Sequence, residues 1–151
     1  NLQLVSFTLG EEEYAVDILK VREIIRVPNI TRVPRAPEFV EGVINLRGKV
    51  IPVIDLRKRF GLSAGDYTKG TRIIVLELER TIGMVVDGVS QVLRLGAESV
   101  EPPPPIVSGI SSEYLKGVGK VDDRLIILLD VDKILDAGES SRLLDLEEAG
   151  G

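Results

Sequence analysis

One unit of the sequence occurs twice, and this repeat restricts the possible folds more than any other feature. The stretch at residues 42–61, GVINLRGKVIPVIDLRKRFG, returns seventy-five residues later at 117–135 as GVGKVDDRLIILLDVDKIL. A fixed offset without gaps indicates an internal duplication. A looser echo relates residues 5–25 to residues 75–93. Both halves of the chain are therefore expected to share one plan.

The pattern inside the repeated unit predicts a strand, a tight turn, a second strand and a helical turn. In the first copy an apolar run reaches Asp55, and Leu56 and Phe60 then follow at the four-residue spacing of a helix. Aspartate is a favoured N-cap because its carboxylate accepts hydrogen bonds from the first free amides. We therefore expect Asp55 and its repeat partner Asp130 to cap short helical turns.

The residues after the first predicted hairpin have the spacing of a short amphipathic helix, for which Asp17 would be the N-cap. Its apolar stripe would consist of Ile18, Val21 and Ile25. In the second half Gly88 follows Asp87 directly, so a strand over residues 89–95 is expected there instead of a helix.

Residues 26–41 are rich in proline and cannot form a helix or a central strand, because proline lacks an amide donor and fixes the backbone. Apolar side chains recur there at every third position, namely Val27, Ile30 and Val33. In an extended, polyproline-like conformation this spacing puts them along one edge. Such an edge either packs against the protein's own core or is offered to a partner, and the sequence leaves both interpretations open.

Four or five short strands in each half, with only brief helical turns, predict a mainly β protein of two small barrels. Closure of a barrel hides the edges that a lone sheet would expose. The 151 residues are expected to form one domain, with lobe one at about 1–61, a linker at 62–70 and lobe two at 71–136. Residues 137–151 would form a C-terminal tail.

The composition excludes several kinds of chemistry. The sequence contains no cysteine and no histidine, which rules out disulfides, thiolate nucleophiles, imidazole bases and nearly all zinc sites. No metal and no cofactor are expected. The apolar and charged fractions, 44% and 28%, are those of an ordinary globular protein, and no apolar run approaches the roughly twenty residues of a membrane span. A cytoplasmic location is the default expectation.

Charge is distributed unevenly along the chain. Residues 1–61 carry ten Lys and Arg against eight Asp and Glu, a net charge of +2, whereas residues 62–151 carry nine against sixteen, a net charge of −7. A duplicated frame with two different surfaces is suited to two different partners. Nucleic acid is not an expected partner, because neither half is strongly basic and only six Phe and Tyr are present for stacking on bases.

Two features leave alternatives open. Asp55 and Asp130 could serve as a general acid and base, so a carboxylate-dependent hydrolase competes with the capping interpretation. Arg47 and Gly48 occupy the turn of the first repeat, where the second repeat has two aspartates. Arginine is enriched at protein interfaces. The turn is therefore either a contact site or a solvated turn without a function.

Four segments together resemble the CheW family, the coupling proteins of bacterial chemotaxis: residues 4–25, 42–61, 83–95 and 111–135. The likeness extends over about residues 4–135, and its most specific part is the NLRG turn followed by VIPVIDLR. It implies a fold of two five-stranded, SH3-like barrels, related by internal duplication, with short connecting helices and a shared hydrophobic interface.

The resemblance also implies a non-enzymatic adaptor with no catalytic residues. Such an adaptor couples the cytoplasmic tips of methyl-accepting chemoreceptors to the regulatory domain of the histidine kinase CheA. It would be recruited to receptor arrays without inserting into the membrane. The family's receptor and kinase contacts fall here on Val21, Glu23 and Arg47, with Gly48 in the same turn. The Pro-bearing edge, with Val27, Ile30 and Val33, would add further contacts.

Overall fold

A computed structural model describes residues 1–103, 106–107 and 110–135 of the chain. The predicted mainly β fold with two lobes is confirmed: a six-stranded sheet faces a five-stranded sheet. In chain order the strands are β1 (Leu2–Leu9), β2 (Glu12–Asp17), β3 (Val21–Arg26), β4 (Val40–Leu46), β5 (Lys49–Asp55), β6 (Arg72–Glu77), β7 (Thr81–Val86), β8 (Gly88–Leu95), β9 (Val100–Glu101), β10 (Ile106–Val107), β11 (Ile110–Ser111), β12 (Leu115–Val121) and β13 (Arg124–Leu129).

Helical structure is confined to single turns in the part of the chain that the structure describes. The one α-helix is α1 (Leu56–Arg59), and the 3-10 turns are Ile18–Lys20, Ala97–Ser99, Ser112–Tyr114 and Val131–Lys133. None of these described helices is long and apolar enough to cross a membrane.

The two sheets have the same internal order, which is the structural form of the duplication. The six-stranded sheet runs β8-β1-β2-β13-β12-β9, and the five-stranded sheet runs β3-β6-β7-β5-β4. In each sheet the middle pair is parallel, β2 with β13 and β5 with β7, while the outer pairs are antiparallel. In the five-stranded sheet an isolated bridge from Thr31 to Val43 stands where β9 pairs with Val118, the repeat partner of Val43.

The sheets do not follow the predicted lobe boundaries at 1–61 and 71–136. The five-stranded sheet is built from residues 21–86, and the six-stranded sheet combines residues 2–17 with β8, β9, β12 and β13. The strand after each first hairpin crosses to the other sheet, so β3 pairs with β6 and β8 pairs with β1. The predicted linker at 62–70 contains no strand, but it connects α1 to β6 of the same sheet. The predicted tail, 137–151, lies outside the described residues.

The helix predicted after Asp17 is wrong, because only Ile18–Lys20 forms a 3-10 turn and β3 begins at Val21. Half-buried and exposed residues alternate along β3, which is the period of a strand. Its branched side chains favour this pleated surface, and five register pairs with β6 hold it in place. In the second half, the predicted strand at 89–95 is present as β8.

The apolar residues form three clusters, one on each sheet and a larger one between the sheets. β6 and β7 have mostly buried side chains on both of their faces. Apolar and polar residues therefore do not alternate along these two strands. Fully buried members of the central cluster are Phe7, Leu9, Tyr14, Val16, Ile54, Leu56, Ile74, Leu76, Ile82, Met84, Val86 and Ile134. This shared apolar layer fixes the two sheets against each other and sets the positions of the surface turns.

Candidate functional site

The turn between β4 and β5 is shaped to present one arginine to the solvent. Arg47 and Gly48 are its two central residues, with φ angles of 50° and 88°. Two consecutive positive φ angles are typical of the two-residue turns that match the twist of a hairpin. The Gly48 amide donates to the Asn45 side-chain oxygen at 2.7 Å, which fixes the turn further. Glycine is favoured at the second position because it adopts this backbone conformation without steric cost.

Arg47 forms a bidentate ion pair with Glu23. Its Nη1 lies 3.2 Å from Glu23 Oε1, and its Nη2 contacts Oε2. Glu23 belongs to β3 and Arg47 to the β4–β5 turn, so the pair joins the two ends of the strand order β3-β6-β7-β5-β4. The side chain of Arg47 is 65% exposed and that of Glu23 is 26% exposed. The pair is therefore accessible to another protein.

The ion pair also fixes the charge of Glu23. The hydrogen bond from Arg47, together with the nearby charges of Arg47 and Arg22, lowers the pKa of the Glu23 carboxyl below its ordinary value, although partial desolvation opposes this shift. Because the pKa is lowered, the contribution of the pair is present above the ordinary glutamate pKa and is lost as the pH falls through the lowered value. At neutral pH both groups are charged, which favours a partner with complementary donors and acceptors.

A chain of polar side chains crosses the same end of the five-stranded sheet. Arg22 Nη1 lies 3.3 Å from Glu77 Oε2, the Thr81 hydroxyl donates to the same oxygen at 2.8 Å, and Lys49 Nζ donates to the Thr81 oxygen at 3.1 Å. These residues come from β3, β6, β7 and β5 in turn. No local sequence pattern indicates these contacts, because they join positions up to 55 residues apart.

The structure places four of the sequence-predicted contact residues around this end of the sheet. Val21 begins β3, is half-buried and packs against the central cluster, two positions before Glu23. We call Val21, Glu23, Arg47 and Gly48 the β3–turn patch. A bulge at Arg22 separates Val21 from Glu23 in the register with β6. Arg22 is the extra residue of this bulge and has no register partner on β6.

The Pro-bearing edge does not present its three apolar residues in one way. Val27 and Ile30 are half-buried and pack against the apolar cluster of the five-stranded sheet. The Thr31 amide and carbonyl each make a 2.9 Å hydrogen bond with Val43, which fastens this segment to β4. Val33 is half-buried and lines a surface hollow beside Lys58. Of the two interpretations of the edge, packing against the protein's own core accounts for Val27 and Ile30.

Two of the three predicted caps have the expected geometry. Asp17 accepts from the Leu19 amide at 2.9 Å, and Asp55 accepts from the Arg57 amide at 3.0 Å. Asp130 stands before the turn Val131–Lys133 but makes no capping hydrogen bond with its side chain, so the prediction for Asp130 is wrong. The turn is closed instead by the backbone bond from Lys133 N to Asp130 O, at 3.0 Å.

Asp55 is not a free carboxylate that could act as an acid or base. It is fully buried, and Arg57 approaches it with Nε at 3.1 Å and Nη2 at 2.9 Å. The guanidinium thus donates to both carboxylate oxygens of Asp55 in a bidentate pair, which leaves neither oxygen free. Within the described ranges no group of three or more acidic residues is placed to hold a metal ion. These contacts give Asp55 a structural role.

Comparison with known proteins gives a consistent result. The family model for the CheW-like domain matches residues 3–139. The chemotaxis protein CheW of Klebsiella aerogenes is 45% identical over 138 residues, which is 91% of this chain and 83% of the relative. The CheW protein of Treponema pallidum is 38% identical and aligns over 97% of this chain and 89% of its own length.

A solved structure shares the fold as well as the sequence. The crystal structure of the scaffolding protein TtCheW from Thermoanaerobacter tengcongensis matches with a TM-score of 0.85 and 42% identity, over 91% of this chain and 94% of that one. The family match spans both sheets and the β3–turn patch. This chain therefore belongs to the CheW-like domain family.

Proposed function

We propose that this protein is a non-enzymatic adaptor of chemotaxis signalling that couples the cytoplasmic tips of methyl-accepting chemoreceptors to the regulatory domain of the histidine kinase CheA. Its relatives named chemotaxis protein CheW and the scaffold TtCheW support this role. The adaptor would act in the cytoplasm, recruited to receptor arrays by its partners. No cofactor and no catalytic residue enter the proposal.

The observation that carries the proposal is the accessible ion pair of the β3–turn patch. Arg47 and Glu23 hold each other in a fixed geometry while Arg47 stays largely exposed. A preorganised charged pair next to an apolar residue, Val21, has the composition of a protein contact surface. We assign to this patch a contact with the receptor or the kinase. The Pro-bearing edge would add contacts through Val33.

The charge distribution supports two separate partners. Counted by structure, residues 18–87, which include the five-stranded sheet, carry thirteen Lys and Arg against eight Asp and Glu, a net charge of +5. Residues 1–17 and 88–135, which include the six-stranded sheet, carry five against eleven, a net charge of −6. Two sheets of the same order with opposite charge suit partners of opposite charge. Such an adaptor raises the effective concentration of one partner near the other.

A charge exchange across the ion pair tests the assignment. Arg47→Glu places two carboxylates together and is expected to weaken pull-down of receptor tip or kinase about tenfold or more, with little change in melting temperature because Arg47 is exposed. The double variant Glu23→Arg with Arg47→Glu restores the pair. Its pull-down should recover if the partner needs the preorganised pair, and stay weak if the partner contacts Arg47 itself.

Lys120→Glu is a matched control, because Lys120 is an exposed partner in a surface ion pair on the six-stranded sheet. This variant should leave the contact that the patch makes unchanged. A large loss of stability in Arg47→Glu would mean that Arg47 is structural. Full binding by Arg47→Glu to both receptor tip and kinase would contradict the assignment.

A further inference from the structure

A cleft of about 620 Å³ lies on the five-stranded sheet, at the end of β3 opposite to Val21. Three basic residues, Arg26, Lys69 and Arg72, line it together with apolar and hydroxyl-bearing residues. None of the described residues that line the cleft is acidic. The cleft is thus an accessible and positively charged site that the β3–turn patch does not include.

Two of these cations, Arg26 and Arg72, lie opposite each other on neighbouring strands, and their repulsion destabilises the folded protein. Arg26 in β3 is the register partner of Arg72 in β6. Like charges directly opposite in an antiparallel pair are destabilising. Within the described ranges neither arginine has a carboxylate at salt-bridge distance, whereas Arg22, on the same strand, pairs with Glu77 at 3.3 Å. An acidic ligand between Arg26 and Arg72 would offset this repulsion.

Arg72 is held in position before any ligand arrives. Its Nη1 donates to the Lys69 carbonyl at 2.7 Å and to the Thr71 carbonyl at 2.9 Å. The turn that carries these carbonyls is itself fixed, because the Thr68 amide donates to the Thr71 hydroxyl at 2.8 Å. One nitrogen of the guanidinium anchors the side chain, and its other donors remain for a carboxylate. Preorganisation of this kind lowers the entropic cost of binding.

We propose that this cleft is a separate docking surface for a short acidic segment of a partner protein, whose carboxylates lie between Arg72, Arg26 and Lys69. Val27 on the cleft wall would contact an apolar side chain next to those carboxylates. A protein segment is favoured over a nucleic acid, because three cations form no extended basic stripe and the whole chain carries a net charge of −5. The inference goes beyond the proposed adaptor function and does not depend on the identity of its partners.

Titration of the ¹⁵N-labelled full chain with the capped peptide Glu-Val-Glu-Val-Glu tests the inference at low ionic strength. Amide shifts are expected at Arg26 and across residues 68–72, and the Kd should rise with added salt. Arg72→Glu should raise the Kd about tenfold or more. Arg26→Glu should do the same without lowering the melting temperature, since it places opposite charges across the strand pair.

Arg35→Glu is the matched control, because Arg35 is exposed, lies outside the cleft and changes the net charge equally. It should leave the Kd within about twofold. An equal loss in this variant, or equal binding of the Gln-Val-Gln-Val-Gln peptide, would overturn the inference. Tighter binding of inorganic phosphate or of a short single-stranded DNA at the same amides would also overturn it, in favour of an anion or nucleic-acid site.

Discussion

Arg57 is buried although it stands beside two other basic residues in the single turn of α1. Its guanidinium contacts Asp55 at 2.9 Å and Asp87 at 3.2 Å, and the other Asp87 oxygen accepts from the Gly10 amide at 2.6 Å. Asp87 follows β7 of one sheet and Gly10 lies in the β1–β2 turn of the other. The Asp87 side chain therefore connects the two sheets, and Arg57 holds it in place.

Loss of this guanidinium should be costly. Arg57→Ala leaves Asp55 buried without its charged partner, and breaking a buried pair in this way destabilises a protein by about 3–5 kcal/mol. Arg22→Ala removes an exposed pair with Glu77 and should cost less than about 1 kcal/mol. Urea unfolding of both variants measures the difference. Equal, small losses would mean that Asp55 finds water or another donor.

Tyr14 is fully buried, and within the described residues its hydroxyl has no hydrogen-bond partner. Tyr14→Phe removes an unpaired polar group from the central cluster, so it should be neutral or stabilising by about 1 kcal/mol. If Tyr14→Phe instead destabilises the protein by more than about 1 kcal/mol in thermal unfolding, the hydroxyl is hydrogen-bonded in solution.

Tyr14 also predicts how stability changes at high pH. Burial, assisted by the charge of Glu12, raises the pKa of Tyr14 to about 12. A raised pKa means that the folded state disfavours the tyrosinate, so stability is intact below about pH 10 and falls as the pH rises toward 12. Unfolding curves from pH 8 to 12 should show this fall, and Tyr14→Phe should reduce it. An unchanged slope in the variant would assign the fall to other groups.

The two duplicated hairpins, β4–β5 and β12–β13, each have a glycine against which another backbone segment packs. Gly42 in β4 and Gly117 in β12 occupy equivalent bulges, seventy-five residues apart. A Cβ on Gly42 would lie 2.1 Å from the Thr31 carbonyl oxygen, and one on Gly117 would lie 2.7 Å from that of Glu101. Each glycine thus lets a crossing segment approach the hairpin. In the first copy that segment is the Pro-bearing edge.

Gly42→Ala and Gly117→Ala should therefore destabilise the protein by about 1–3 kcal/mol each, through overpacking against backbone. At Gly42 the φ of 146° adds strain for any other residue. Gly65→Ala is the control, since a Cβ there meets no atom within 4 Å. Denaturant unfolding distinguishes these cases. A Gly42→Ala variant as stable as Gly65→Ala would show that the Thr31 segment can move away freely.

The sequence predicted these elements unevenly, for physical reasons. The hairpins and the Arg47–Gly48 turn follow from local alternation and turn chemistry, which need only a few neighbouring residues. The prediction of a helix after Asp17 was wrong. Ile18, Val21 and Ile25 have helical spacing, but pairing with β6 makes this segment a strand. The buried role of Arg57 depends on Asp87, thirty residues away, and no local pattern indicates such a contact.

The two sheets are not formed by the first and second halves of the chain, because the six-stranded sheet combines strands from both ends. The N-terminal hairpin is separated from its sheet partners β8, β12 and β13 by the whole five-stranded sheet along the chain. A repeat in the sequence reveals that two copies exist, but it does not reveal which strands of each copy pair. Counted over residues 1–135, this exchange sharpens the charge contrast from +2 and −3 to +5 and −6, because the acidic residues among 11–17 join the six-stranded sheet.

Because the two sheets exchange strands and share a single apolar layer, we expect them to unfold together. A rigid connection between unlike surfaces is what an adaptor requires, since movement at one partner must reach the other. We therefore expect receptor and kinase to bind this chain at the same time, on different surfaces.

Sedimentation velocity with a receptor-tip fragment, the kinase regulatory domain and this protein tests that claim most directly. We expect a ternary boundary that sediments faster than either binary complex and disappears when this protein is left out. Mutual displacement, in which added receptor tip releases the kinase domain and no ternary boundary forms, would contradict it.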